Sequence, residues 1–124
     1  MRIFVFAVLV VATHAHACLF ARNTQPQYWY EWAAVLFAAD VTQLAQERDK
    51  ALDVITVRVV ETFKGPQHAS TATLEIPMRM WKSCQLERPE VGAHVLVALN
   101  PNSDTLVVPL TPAYAESLRQ QRPQ

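Results

Sequence analysis

The chain has 124 residues, 51% of them hydrophobic and 18% charged, and its eleven Lys and Arg balance eleven Asp and Glu. That length supports one domain with a modest core, and the balance leaves no basic field to hold nucleic acid or an anionic membrane. With two cysteines and two glycines, cysteine-rich frameworks and phosphate-cradling glycine loops are excluded.

Met1-Arg2 is a short positive start, Ile3 to Ala12 is apolar, and Thr13 to Ala17 is more polar and ends Ala15-His16-Ala17. This layout predicts a secretory signal peptide over residues 1–17, with Ala15 and Ala17 as the small side chains before the cut. The apolar run falls short of the roughly 20 residues a membrane span requires. The predicted product is one domain, residues 18–124, secreted or periplasmic, and it begins with Cys18. A lipid anchor on Cys18 is the rival expectation, although Ala15 and His16 stand where lipoprotein signals usually have Leu and a small residue. In an oxidising compartment the simplest pairing is Cys18 with Cys84, the alternatives being an intermolecular bridge or free thiols. A loop of that size gives on the order of 4 kcal/mol in the chain-entropy model, as an upper figure.

In chain order, Thr24 to Ala34 carries Tyr28, Trp29, Tyr30 and Trp32 and predicts a short helix whose rings cap one end of the core. Val35 to Val41 predicts a strand. Leu52 to Phe63 alternates, with Ile55, Val57 and Val59 on one face and Thr56 and Arg58 on the other. Glu61 then falls in phase with the apolar face, which requires either a bulge near Val59-Val60 or a strand leaving the core. Lys64-Gly65-Pro66 marks a turn, and Thr71 to Ile76 alternates again up to Pro77. An irregular stretch follows, then the turn Pro89-Glu90-Val91-Gly92. His94 to Leu99 and Thr105 to Val108 are paired across an Asn100 to Asp104 loop, and Pro112 opens a final helix with Tyr114 and Leu118 on one side. Five short strands with a C-terminal helix predict an all-β fold. The first expectation is a five-stranded barrel of the oligonucleotide/oligosaccharide-binding (OB) type, and the second is a small sandwich.

Nothing here has the look of catalysis. Ser70, Ser83, Ser103 and Ser117 lie in no nucleophile motif. His68 and His94 read as a loop and a rim residue, and with no companion at ligand spacing they predict no metal site. Asp49, Asp53, Glu87 and Glu90 read as solvated turn charges. No cofactor is expected.

One resemblance adds to these expectations. Cys18 just past the leader, Ala33 to Val41, Ile55 to Gly65 ending Phe63-Lys64-Gly65, Ser83-Cys84, and Val91 to Ala98 occur in an order that resembles netrin-like proteins. The likeness is to bacterial secreted members similar to the inhibitory domain of tissue inhibitors of metalloproteinases. It implies a five-stranded OB-like barrel with the first cysteine bonded to the one before strand four. It further implies inhibition of a zinc metalloprotease, the Cys18 amine and carbonyl chelating the protease's zinc and Leu19 filling its pocket. Trp81, Lys82 and Ser83 would form a neighbouring ridge. Phe20, part of the same expected surface, stands where those inhibitors have a second cysteine, and Gln85 stands where glycine is common. The expected role is a non-catalytic binding domain that presents a disulfide-pinned N-terminal surface to a protein partner, a metalloprotease or another envelope or extracellular protein. Oligosaccharide or small-ligand binding by the barrel face and the Tyr28 to Trp32 aromatics is the remaining alternative.

Overall fold

The computed structural model describes residues 25–66, 70–102 and 105–122. The leader, the Ala15 and Ala17 cleavage signal, Cys18, Leu19, Phe20, His68 and Ser103 lie outside the described residues. Helix α1 (Pro26–Trp32) leads into β1 (Val35–Glu47), and a 3-10 turn (Arg48–Lys50) returns the chain as β2 (Leu52–Lys64). β3 (Thr71–Pro77), helix α2 (Met78–Ser83), β4 (His94–Leu99), β5 (Thr105–Pro109) and helix α3 (Pro112–Gln120) follow.

All ladders are antiparallel and the strand order is β3-β2-β1-β4-β5. β3 and β5, at the two ends, approach within 8 Å at their Cα atoms, but no ladder joins them among the described residues. The all-β expectation therefore holds at the level of a five-stranded antiparallel sheet with short helices, and hydrogen bonding leaves that sheet open.

Both faces of the sheet's centre are buried. Leu36, Ala38, Leu96, Ala98 and Leu106 pack with Trp29, Tyr30, Ala115 and Leu118 of α1 and α3. Phe37, Ala39, Val95, Val97 and Val107 face the opposite way, onto Ile55, Val57, Leu74, Ile76 and Trp81. Two-sided burial is why β4 and β5 read as continuous apolar runs rather than alternating ones. β1 continues six residues beyond the predicted Val41. This extension pairs with β2 alone, past a register shift between Val41 and Gln43, and is largely exposed, so its sequence carries no apolar period.

The Glu61 question resolves as a bulge. Ala38 pairs with Glu61 and Ala39 with Val59, leaving Val60 as the extra residue, 51% exposed. One extra residue exchanges the faces beyond it, so Glu61 and Phe63 turn to the helix side. There Arg119 donates through Nε to both Glu61 oxygens at 3.0 Å, and Arg122 reaches Glu61 at 3.3 Å. Helix α3 starts on Pro112, with Thr111 Oγ1 accepting from the Tyr114 N–H at 3.2 Å as the N-cap. The Tyr30 hydroxyl donates to the Leu118 carbonyl at 2.6 Å, locking α3 to α1. Burial of Leu118, at 0% exposure, is worth on the order of 2 kcal/mol. The apolar face therefore holds the helix, while the exposed ion pairs set its rotation.

Two glycines separate backbone need from packing need. Gly65 has φ +95°, and a Cβ there would sit 3.0 Å from the Ala34 carbonyl oxygen and 3.2 Å from Val35 Cγ2; Gly92 has φ +94° and open space. Gly65→Ala should cost about 2–3 kcal/mol and Gly92→Ala about 1 kcal/mol, read as urea midpoints at constant m. Equal losses would mean that the Ala34 contact has no energetic weight.

The Arg119 hydrogen bond, opposed by partial burial, holds the Glu61 carboxyl below its ordinary value. A carboxylate depressed in the fold stabilises above its unfolded pKa, and that contribution is lost as pH falls through the folded one. Glu61→Gln should therefore lower the urea midpoint at pH 7 and flatten the decline that the parent shows on acidification below the ordinary glutamate range. An unchanged acid slope would show that Glu61 is not differentially ionised.

Candidate functional site

The alternation of β2 that puts Ile55 and Val57 inward also turns Asp53 inward, and Asp53 is 1% exposed. This corrects the expectation of a solvated turn charge. Asp53 lies within the β-ladder, opposite Gln46 on β1 and Ile76 on β3, so water is displaced from both sides. An unpaired buried carboxylate would be costly, and three donors offset that cost. Trp81 Nε1 donates to Oδ2 at 2.7 Å, Arg88 Nη2 reaches Oδ1 at 2.5 Å, and Gln46 Nε2 donates to Oδ1 at 3.2 Å.

This carboxylate organises the stretch expected to be irregular. Helix α2 has no side-chain cap and is too short to persist alone. What holds it is Trp81, 8% exposed, with its ring in the core and its N–H on Asp53. Trp81 is therefore an anchor within the core, and the expected ridge keeps Lys82 and Ser83 as its exposed side chains. Cys84 follows at the helix's C-terminal end, 5% exposed and not a free thiol. Gln85 then adopts the left-handed φ of 55°, and the Leu86 N–H donates to the Trp81 carbonyl at 2.8 Å. Beyond it, Arg88 returns to Asp53 from a segment that runs to the Gly92 turn.

On the face shared with Leu36, Ala38 and Leu96, a polar row crosses three strands in register: Arg58 on β2, Asp40 on β1 and His94 on β4. Asp40 accepts from Arg58 Nη2 at 2.8 Å and lies 2.6 Å from His94 Nδ1. The bond to His94 is the main reason its carboxyl sits below the ordinary aspartate value, with partial burial opposing. His94 is exposed, at the rim as expected, and it also lines a groove of about 320 Å³ beside β5. The Glu87–Glu90 segment, Ala93, Val95 and Val107 to Pro109 complete the groove.

Of the aromatic segment, Trp29 and Tyr30 are buried in the helix-side core, while Tyr28 is 47% exposed, as rings capping one end of a core require. Asp49, Glu87 and Glu90 are exposed. Among the described residues no three His, Cys, Asp or Glu side chains gather where a metal could be held, and no helix is long and apolar enough to cross a membrane. The arrangement offers two addressable surfaces, the exposed side of α2 around Lys82 and Ser83, and the groove. Asp53 braces both. Its inward phase with Ile55 and Val57 was the signal that could have located it. No protein-family model and no curated protein matches the chain.

Asp53→Ala should cost about 3 kcal/mol, because it strands the Trp81 indole N–H and removes the partner of Arg88. Trp81→Phe should cost less in the Asp53→Ala background than in the parent, with a coupling above about 0.5 kcal/mol in urea-denaturation cycles. Strict additivity would dissolve the pairing.

Proposed function

We propose that the protein is an exported, non-catalytic binding domain that presents its N-terminal residues to a protein partner. In this reading Cys18 becomes residue one after cleavage and is bonded to Cys84. Leu19 and Phe20 are thereby laid beside Lys82 and Ser83. The observation that carries the reading is the setting of Cys84: buried, without a free thiol, and at the end of a helix bolted through Trp81 to a buried carboxylate. Whatever is attached to that sulfur is held against a rigid base, and preorganisation of this kind reduces the entropic cost of binding.

The finer architecture under this proposal is the OB-like, netrin-like barrel. The strand order, with β3 and β5 approaching each other, supports it. Gln85 supports it as well, since the residue standing where netrin-like relatives commonly have glycine takes a left-handed backbone, the conformation that favours glycine. A narrower version has the Cys18 amine and carbonyl chelate the zinc of a partner metalloprotease, with Leu19 in its pocket. An N-terminal amine with a reference pKa near 8 yields its proton readily to a metal around neutral pH.

The deciding experiment is the mass and N-terminal sequence of the exported protein, with and without reductant, followed by one added alanine before Cys18. The proposal expects Cys18 as residue one and no alkylatable thiol until reduction, and its chelation version expects the added alanine to abolish inhibition. A retained leader, or two reactive thiols in the isolated protein, would overturn it. Inhibition of a metalloprotease that survives the added alanine would remove the chelation version alone.

A further inference from the structure

We propose that the groove beside β5 is a pocket for a basic side chain, Lys or Arg, of a protein partner. Its accessible apolar side comes from Pro89, Ala93 and Pro109, with Val95 and Val107 buried beneath them. Four titratable groups line it: Glu87, Arg88, Glu90 and His94. Two of these already have carboxylate partners behind them. Arg88 is drawn to the buried Asp53 at 2.5 Å, and His94 lies 2.6 Å from Asp40, itself also paired with Arg58.

Glu87 and Glu90 form no ion pair among the described residues. The groove therefore combines an apolar wall with two uncompensated carboxylates, and its opening is held by a loop that Asp53 fixes from beneath. An apolar stem ending in a cation complements both features, since Lys and Arg bury their methylenes while the charged head stays at the rim. An anionic or wholly apolar group meets one feature and is opposed by the other. The groove shares with the N-terminal reading only the expectation of a protein partner. Its test contains neither that partner nor a change at Cys18, so the two stand or fall separately.

The test is a two-dimensional NMR titration of the folded protein, as isolated, with N-acetyl-arginine amide. N-acetyl-norleucine amide serves as the neutral control and N-acetyl-glutamate amide as the anionic one. Saturable shifts are expected at Ala93 to Val95 and at the Val107 and Val108 amides. They should weaken about fivefold in the Glu87→Gln, Glu90→Gln double variant, the size that loss of exposed ion pairs produces. Higher salt should weaken them too. Both glutamates are exposed, and an unchanged urea midpoint confirms that the variant is folded. Shifts elsewhere, equal shifts with the neutral control, or affinity untouched by the double substitution would each overturn the proposal.

Discussion

A single carboxylate inside an otherwise apolar face sets the positions of the parts of this protein most able to meet another molecule. Asp53 accepts hydrogen bonds from β1, from α2 and from the segment before β4, through Gln46, Trp81 and Arg88. The Gln46 contact spans the β1–β2 hairpin, while the other two are distant in sequence and come from a stretch with little regular structure of its own. Burying a charge for stability alone is a poor strategy, because apolar replacements of similar volume often do as well. Its value here is geometric: one group specifies where a six-residue helix and an exposed loop sit relative to the sheet.

The rest of the fold supplies the frame for that group. β1 and β4 are covered on both faces, by the helices on one side and by the inward residues of β2, β3 and β5 on the other. The Val60 bulge lets one strand serve both layers, since β2 contributes Ile55 and Val57 to one face and Phe63 to the other. The same shift delivers Glu61 to Arg119 and Arg122, so the terminal helix is oriented by charge and held by Tyr30 and Leu118. Among the described residues Val60 is the one large apolar side chain of the sheet left exposed, and the binding surfaces proposed above lie at the α2 end and in the groove.

Local patterns made much of this frame legible. Alternation located β2 and β3, Gly65 and Gly92 marked turns that do take positive φ, and the misfit of Glu61 pointed to the bulge. The extension of β1 was hidden because an exposed hairpin needs no apolar period. Helix α2 was hidden because its stability is tertiary, resting on one tryptophan rather than on propensity or capping. Asp53 was misread because charge type outweighed phase: its identity suggested water, while its position two residues before Ile55 placed it inside. Trp81 was placed on the ridge by the resemblance alone, whereas its indole N–H is buried against Asp53, an acceptor that only the fold brings to it. Lys82 and Ser83 are exposed as expected, while the groove joins segments that only the register of β4 and β5 brings together.

The most direct measurement is hydrogen exchange at the indole nitrogen of Trp81 in the native protein. A bond to a buried carboxylate that organises the surrounding loop should open only with global unfolding. Its exchange free energy should then match the unfolding free energy and fall in parallel with it in denaturant. Exchange at the rate of an exposed tryptophan, with the sheet amides still protected, would show that α2 and the loop move independently of Asp53, contrary to the arrangement described.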